Sequence, residues 1–600
     1  MIQKNEVLLK HHDEWLHFAN LHQIISAASV DDVRGALREI EQLVNANNWH
    51  AAGFVSYEAA PAFDSALHVL SADDFPLLWF GLYSAPRVLQ TSEVFAKRDL
   101  QGLEAQNWQP SVEPDTYNTA IEKVKEYIAQ GKTYQVNYTM RLNSEFSGGE
   151  WDFFLSLAQT QNKYAAYIDT GRYVICSASP ELFFKLNDNK IYSHPMKGTA
   201  KRGRTTLEDK AQAEWLHNSL KNRAENVMIV DMIRNDLGRI AEIGSVQAPE
   251  LFTIEKYPTL FQMTSTVQAK TSASLDEIFS ALFPCASITG APKVSTMKII
   301  AELETTPRKI YTGSIGFISP NRKAQFNVAI RTALIDRETK TTEYGVGGGI
   351  VWDSTSADEY SEALLKARVL TEHPRPFELI ETLLWTPEDG FFLREKHLAR
   401  MQDSADYFGF LFSSAEFENQ IDRFASNFTS PQRVRALLDK FGQFKTEARD
   451  FQLQEKIFKV RLADNPVDAK NIFLFHKTTQ REMYPPVPAG LDDLLLWNEN
   501  DEVTEFTIGN LVVELDRELF TPPISCGLLA GTFRSYLLDT GKISERAIRK
   551  DELGKCGKIF LVNSVRKWVE AEIAPIPRLP LFSKSENGGR GRDYPNVIVT

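Results

Sequence analysis

Lys477 lies in Phe473-Leu-Phe-His-Lys-Thr-Thr-Gln-Arg-Glu-Met-Tyr484, behind a strand-like run, and Glu505 follows in Glu505-Phe-Thr-Ile-Gly-Asn510. A lysine amine can form a Schiff base, and a carboxylate two elements later can keep a pyridine nitrogen protonated so that the ring accepts electrons. That pairing is what a pyridoxal phosphate (PLP) site needs. Two further segments belong to the same half: Lys396-His-Leu-Ala-Arg-Met401, and Cys526-Gly-Leu-Leu-Ala-Gly-Thr-Phe-Arg534. The second reads as a glycine turn opening a helix, whose first amides suit an anion.

The first 370 residues carry different chemistry. Gly131-Lys-Thr-Tyr-Gln-Val-Asn-Tyr138 is expected to be a turn entering a strand, and Ser179-Pro-Glu-Leu-Phe183 to put Glu181 at a strand start. His194-Pro-Met-Lys-Gly-Thr199 is expected to be a turn carrying Lys197, and Gly345-Val-Gly-Gly-Gly-Ile350 a glycine-rich turn. Ser287-Ile-Thr-Gly-Ala-Pro-Lys293 is a Gly-Pro turn leading into a helix whose free amides could hold a carboxylate. Glu359 and Glu362, at i and i+3, share a helix face that solvent alone could cover. Arg331, in the apolar strand-like Ala329-Ile-Arg-Thr-Ala333, is harder to dismiss. A buried guanidinium needs a carboxylate partner, from protein or substrate. Glu225, between Ala224 and the apolar run Val227 to Val230, is expected to face a polar pocket or a metal. Two or more such carboxylates suit Mg2+.

The elements that must position these groups divide near residue 374, where Glu-His-Pro-Arg-Pro (372–376) interrupts a helical stretch. The expected domains are 1–372 and 377–582, with a polar, Gly-rich tail at 583–600. Residues 1–110 read as β-rich with some helix, and 115–370 as alternating strands and helices, including strands at 173–177 and 182–185 and one long helix from about Leu207 to Arg234.

In this order the segments from about Tyr117 to Arg368 resemble the chorismate-using enzymes: anthranilate synthase large subunits, aminodeoxychorismate synthase component I, and isochorismate and salicylate synthases. The resemblance implies that Glu225 and Glu362 bind Mg2+, with Glu359 close by. Arg331, Lys366, Tyr311 and the amides of Gly347 and Gly348 would hold the substrate carboxylates, and Gln135, Thr289 and Gly290 would border the substrate. Glu181 would be the general acid at the leaving hydroxyl. Gln135 stands where water-using members carry a lysine, and a neutral amide cannot activate water. Lys197 stands where anthranilate synthases carry alanine and aminodeoxychorismate synthases carry lysine; the family mechanism has this amine attack ring C2. Gln262 and Asn226 depart from positions that are usually histidine.

Residues 377–570 resemble the fold-type-IV PLP enzymes. The resemblance makes Lys477 the Schiff-base lysine and proton carrier and Glu505 the partner of the pyridine nitrogen. Arg400 and the amides of Gly531, Thr532 and Phe533 would bind the phosphate. The implied fold is α+β twice over: a chorismate-utilising fold with a β-sandwich-like core and helices, then a fold-type-IV PLP α+β domain. The implied activity is amination of chorismate to aminodeoxychorismate followed by its cleavage to 4-aminobenzoate and pyruvate, for folate synthesis. The rivals are an anthranilate synthase component fused to an aminotransferase-like domain, and a synthase whose second domain is a docking module.

Composition narrows the setting. Across 600 residues, 43% are hydrophobic and 24% charged, with a formal charge of −12 and no long basic run, which argues against nucleic acid as the main ligand. No apolar run approaches the ~18 residues of a membrane span, and the N-terminus lacks the order of a signal peptide, so a cytoplasmic setting is expected. Cys176, Cys285, Cys526 and Cys556 are far apart, and none sits in the Gly-x-Cys-x-Gly elbow of a glutaminase. A separate glutamine amidotransferase subunit is therefore the expected ammonia source, unless free ammonia serves. The resemblance also allows a homodimer through the PLP domain.

Overall fold

The computed structural model describes residues 2–95, 107–160, 163–370, 376–452 and 456–574. It divides into two units, Met1–Pro376 and Phe377–Thr600. Most of the Pro-containing boundary and the whole 583–600 tail lie outside the described residues.

The first unit is built on two ten-stranded sheets, each with nine strands in one line and a tenth paired off it, Gln109–Pro110 on Gln135–Glu145 in the first and Gln247–Lys256 on Leu260–Lys270 in the second. One runs Gly290–Ala291, Gln135–Glu145, Thr341–Ile350, Thr332–Asp336, Tyr173–Ser179, Tyr164–Asp169, Val7–His11, Glu14–Phe18 and Arg87–Gln90. The other runs Met196–Lys201, Leu260–Lys270, Lys190–His194, Leu182–Asn187, Lys323–Val328, Ser314–Ser319, His50–Val55, Leu78–Tyr83 and Leu21–Ala27. One apolar cluster draws Val7, Phe18 and Ile175 from the first sheet and Phe54, Phe80 and Phe326 from the second, which makes the pair a sandwich. The strand Leu78–Tyr83 is buried at every position, so its sequence shows no alternation. A second cluster, with Tyr117, Tyr138, Phe154, Tyr344 and Ala363, packs the other face of the first sheet under helices Pro114–Ala129, Glu150–Thr160 and Ser356–Ala367.

Four local expectations are corrected. The long helix is two, Thr206–Asn218 and Leu220–Gly238, because Ser219 is extended (φ −67°, ψ 111°) and its hydroxyl caps the second. Gly345–Ile350 is not a turn but the end of strand Thr341–Ile350, paired residue for residue with Ile350↔Val136 through Gly345↔Arg141. Its glycines bring neighbours close: a Cβ on Gly345 would fall 2.1 Å from the Tyr311 ring. Lys197 lies in the short strand Met196–Lys201, whose register against Leu260–Lys270 shifts between Met196 and Thr199. Arg331 is not within a strand; it links Lys323–Val328 to Thr332–Asp336 at φ +51°.

The second unit has a four-stranded sheet (Gly390–Phe391, Leu379–Thr386, Gln432–Leu438, Phe444–Asp450) and a nine-stranded one. Helices Arg394–Phe408 and Ser414–Ala425 cover the smaller sheet through Met401, Ala405, Phe417 and Ile421. The run before Lys477 is a one-turn 3-10 helix, Ile472–Leu474, rather than a strand. Among the described residues no helix is long and apolar enough to cross a membrane.

Candidate active sites

The first site forms where strands Gln135–Glu145 and Thr341–Ile350 run side by side. The glycines of the second strand leave room for side chains from four other elements. A Cβ on Gly349 would stand 2.8 Å from Gln135 Nε2 and 3.0 Å from Lys197 Nζ, so these two groups meet over it. A Cβ on Gly348 would stand 2.9 Å from Glu359 Oε2 and 3.6 Å from Lys366 Nζ. Lys366 donates to the Gly347 carbonyl (2.8 Å) and pairs with Glu362 (2.8 Å). Glu359 accepts from Ser354 Oγ at 2.6 Å. Thr289 and Gly290 close the other edge: the Asn137 amide donates to the Thr289 carbonyl (2.8 Å), and Gly290 pairs with Val136.

Charge in this site is crowded, shielded from water around Lys197 and Glu181 and exposed at Glu362 and Lys366. Burial lowers the Lys197 amine from its ordinary range, and Lys366 acts the same way, against the charges of Glu225, Glu181 and Glu362. Burial raises Glu181 to about 7, although Ser287 Oγ donates to its Oε1 at 2.6 Å. Glu359 is also raised, by burial and by the neighbouring Glu362. Arg331 is lowered by burial, and among the described residues no carboxylate pairs with its guanidinium. Gln135, 2% exposed, keeps its Nε2 buried without a hydrogen-bond partner. An orphaned amide donor and an unpaired guanidinium are what a bound carboxylate would satisfy.

Four positioning groups support the site, of which the sequence had marked Asn226 and Gln262 only as departures from histidine and had not marked Glu304 or Arg308. Asn226 is fully buried; its Oδ1 accepts from Ser265 Oγ (2.5 Å) and its Nδ2 reaches the Lys197 carbonyl (3.5 Å). Gln262 Nε2 donates to the Gly198 carbonyl (2.8 Å). The two departures from histidine thus hold the backbone that carries Lys197. Glu304 takes the Thr139 amide (2.9 Å) and hydroxyl (2.7 Å) and pairs with Arg308 (2.7 Å), which also donates to the carbonyls of Asn137 (2.7 Å) and Ile288 (3.0 Å). This buried pair ties strand Gln135–Glu145 to the segment before Thr289. Its i, i+4 spacing was the available signal.

The second site is a cavity in the second unit, lined by Lys477, Glu505, Tyr484, Arg400, Gly531 and Thr532 among others. The Lys477 carbonyl takes the Ile380 amide (3.0 Å), and Thr478 bridges to Leu379, so the lysine is pinned along the edge of the smaller sheet. Burial, helped by Arg400, lowers its amine to about 8. Burial raises Glu505 to about 8, even though Tyr484 Oη (3.0 Å), Asn510 Nδ2 (3.2 Å) and the Leu529 amide (3.3 Å) all donate to it. Gly531 caps helix Thr532–Asp539 with no side chain to occupy the first amides, and a Cβ there would fall 1.9 Å from Asn510 Oδ1. Phe533 turns its ring into an apolar cluster with Val512 and Leu537, leaving only its backbone for the site.

Arg400 is bidentate to Glu381 (2.8 and 2.6 Å) and reaches the Ala530 carbonyl (3.2 Å); His397 Nδ1 bonds the same carboxylate at 2.6 Å. Burial alone would raise Glu381, but the charges of Arg400 and His397 outweigh it and hold the carboxyl well below the ordinary range. Glu381, a lone acid in the apolar strand Leu379–Thr386, carried the same sequence signal as Arg331 and was missed.

All four cysteines are free, three of them buried, and burial raises the thiols of Cys285 and Cys526 to about 12. Among the described residues no three His, Cys, Asp or Glu side chains stand close enough to hold a metal ion by themselves.

The chorismate binding enzyme family matches residues 4–372, and amino-transferase class IV matches residues 378–572. The chain therefore belongs to the chorismate binding enzyme family, and the class IV domain behind it implies PLP. It is 37% identical to aminodeoxychorismate synthase component 1 of Escherichia coli (strain K12) over 53% of this chain and 69% of that protein. It is also 37% identical to anthranilate synthase component 1 of Aquifex aeolicus (strain VF5), over 44% of this chain and 54% of that one. Over 62% of this chain the fold is similar to that of anthranilate synthase component I from Streptococcus pneumoniae TIGR4, with a TM-score of 0.51, 24% identity and 93% of that chain covered. The aligned stretches thus span roughly half to two thirds of the curated relatives, and overall identity does not separate the two activities.

Proposed function

We propose that the first unit converts chorismate and ammonia to 4-amino-4-deoxychorismate and the second cleaves that product to 4-aminobenzoate and pyruvate. The observation that carries the choice is Lys197: a half-buried lysine whose amine is lowered by burial and acted on by the charge of Glu181, an acid raised to about 7. An anthranilate-forming member has no use for an amine at that place.

In the first site Lys197 is the nucleophile at ring C2, its lowered range keeping a usable neutral fraction; its C–N bond forms as the C4 hydroxyl leaves as water, and ammonia then adds at C4 as the C2–N bond breaks and frees the lysine. Glu181 delivers a proton to the departing C4 hydroxyl, which its raised range favours. Arg331, Lys366, Tyr311 and the Gly347–Gly348 backbone orient the carboxylates, and the Gln135 amide donates to the substrate without activating water. The charges of Glu225 and Glu362 act on Lys197, and Glu362 acts on Glu359, without the three standing close enough to make a cage by themselves. Mg2+ commonly keeps several waters and takes one or two protein carboxylates plus substrate oxygens, so a preformed three-ligand cage is not required. Glu225 and Glu362 would hold it, with Glu359 near, and it would neutralise charge on the bound substrate.

In the second site Lys477, Glu505 and the Gly531–Phe533 amides fit PLP: a dry amine, a dry acid and an open helix start share one cavity. PLP supplies an electron sink there. Glu505 would hold the ring nitrogen, Arg400 and the helix amides the phosphate, and Lys477 would carry the proton between substrate positions. The raised thiols support an ammonia source in a separate amidotransferase. Supplying 4-amino-4-deoxychorismate directly to Lys197→Ala protein tests the division of labour. Unchanged 4-aminobenzoate release is expected, and loss of release in properly folded protein would overturn it.

A further inference from the structure

Lys477 also opens onto a second hollow that the chemistry above does not use. It measures about 390 Å3 and is lined by Arg433, Arg435, Arg481 and Arg566 as well as Lys477, with no carboxylate in its wall. Arg435 is paired with Glu447 (3.5 Å), and Arg481 is occupied by the Thr507 carbonyl and the Tyr484 ring, 4.4 Å from its guanidinium carbon. Arg433 and Arg566 are different. Arg433 Nε is buried with no hydrogen-bond partner, and among the described residues neither side chain has a carboxylate within ion-pair distance. Their charges act on each other: burial lowers Arg566, and Arg433 lowers it further. The acid that acts on Arg566 is Asp493, which already accepts from the Thr507 hydroxyl and the Leu494 amide. Two part-buried guanidiniums facing one space without a counter-ion repel each other, and a bound anion with paired oxygens reverses that cost.

We infer that Arg433 and Arg566 form the carboxylate-binding face of the second site, selecting an amine that carries two carboxylates. The two hollows share Lys477, Thr478, Arg481, Ile508, Asn563 and Ser564, so the lysine stands at their junction. Glu505 and Gly531–Thr532 lie on the cofactor side and the free arginines on the other. A substrate held by its carboxylates on the arginine side therefore presents its amino group to the Lys477 position. A monocarboxylate amine must share one negative charge between two guanidiniums, whereas a dicarboxylate brings one for each, so the pair favours a dicarboxylate by charge. This inference rests on reading the second site as acting on 4-amino-4-deoxychorismate, a dicarboxylate.

The test uses the full chain loaded with PLP. Calorimetry with benzene-1,3-dicarboxylate as a non-reacting probe, and benzoate as its monocarboxylate counterpart, reads binding directly. Arg433→Gln and Arg566→Gln are each expected to weaken one dicarboxylate binding event about tenfold or more. Arg433→Lys and Arg566→Lys should restore part of it. The exposed Arg423→Gln should change it by less than about twofold. With supplied 4-amino-4-deoxychorismate, KM should rise by a similar factor while the visible absorbance of the bound cofactor stays unchanged. Unchanged binding and KM in both glutamine variants would overturn the inference. Loss of cofactor absorbance in those variants would also overturn it, by assigning the arginines to the phosphate. If probe binding falls as expected but no variant or wild type turns over the substrate, the arginine site stands and the lyase reading fails.

Discussion

Both halves of the chain shield a half-buried lysine from water and lower its amine, yet the charges around it differ, mainly acidic in the first half and mixed in the second. Lys197 sits among Glu225, Glu181 and Glu362, with Lys366 as the one cation acting on it strongly. Lys477 sits under Arg400 and Arg481, with Glu381 and Glu505 opposing. Burial does the same work in each place; the field decides what can join it. An acidic surround raises the amine against burial and leaves carboxylate oxygens for a hard cation. Around Lys477, Arg400 and Arg481 add to the effect of burial while Glu381 and Glu505 oppose it, and the arginines and the open helix start leave donors for anions, a phosphate on one side and carboxylates on the other.

The sharpest way to break this comparison is to remove each lysine. Lys197→Ala should drop 4-amino-4-deoxychorismate formation below detection in the first half while cleavage of supplied 4-amino-4-deoxychorismate continues. Lys477→Ala should do the reverse, so that 4-amino-4-deoxychorismate accumulates from chorismate. Mass analysis of both variants reads the pair; a variant that loses both reactions or neither contradicts separate sites. Glu505→Ala should give a smaller loss than Lys477→Ala, since the lysine and the helix amides remain.

Next in size is Glu181→Gln, expected to cost the synthase about 10²–10⁴-fold. The sign with pH follows from the raised acid. Glu181 must be protonated to donate, so synthase activity should fall as pH rises past about 7, while the neutral fraction of Lys197 grows in the same direction. The product is a bell, and the glutamine variant should lose its alkaline limb. An alkaline limb that persists in Glu181→Gln assigns it to another group. Chelation of divalent ions should weaken the synthase and leave cleavage of supplied 4-amino-4-deoxychorismate intact; equal loss of both steps would contradict the confinement of the carboxylate cluster's role to the first half.

The smallest effect separates scaffold from chemistry. Glu381→Ala strands Arg400 and His397 in a dry interior and should cost the second unit about 3–5 kcal/mol in denaturant unfolding. Glu381 is depressed in the folded chain. Its contribution is therefore present above the ordinary unfolded value of roughly 4.3 and lost as pH falls below it. The variant should show a flatter acid limb of stability than the wild type.

Much of this was legible in the sequence because the chemistry-bearing residues fall in short segments. Lys197, Glu225, Arg331, Glu359 and Glu362, like Lys477 and Glu505, were weak candidates one by one; their joint order along the chain and the resemblance it carries singled them out. What could not be read is where long-range pairing decides. Gly345–Ile350 looks like a turn by composition, but ten consecutive pairs with Gln135–Glu145 make it a strand. Arg331 looks like a strand residue by its neighbours, but the link between two strands turns it to φ +51°. The Glu304–Arg308 and Glu381–Arg400–His397 pairings were hidden for a related reason: a buried polar network is visible only when its members are brought together, and each alone resembles a surface charge.

The central claim is two consecutive reactions on one chain. The direct measurement gives the purified protein chorismate, Mg2+, PLP and an ammonium salt, with no other protein, and follows the products by mass over time. The expected result is transient 4-amino-4-deoxychorismate followed by equal amounts of 4-aminobenzoate and pyruvate. Anthranilate as the aromatic product, or 4-amino-4-deoxychorismate that accumulates without being consumed, would contradict it.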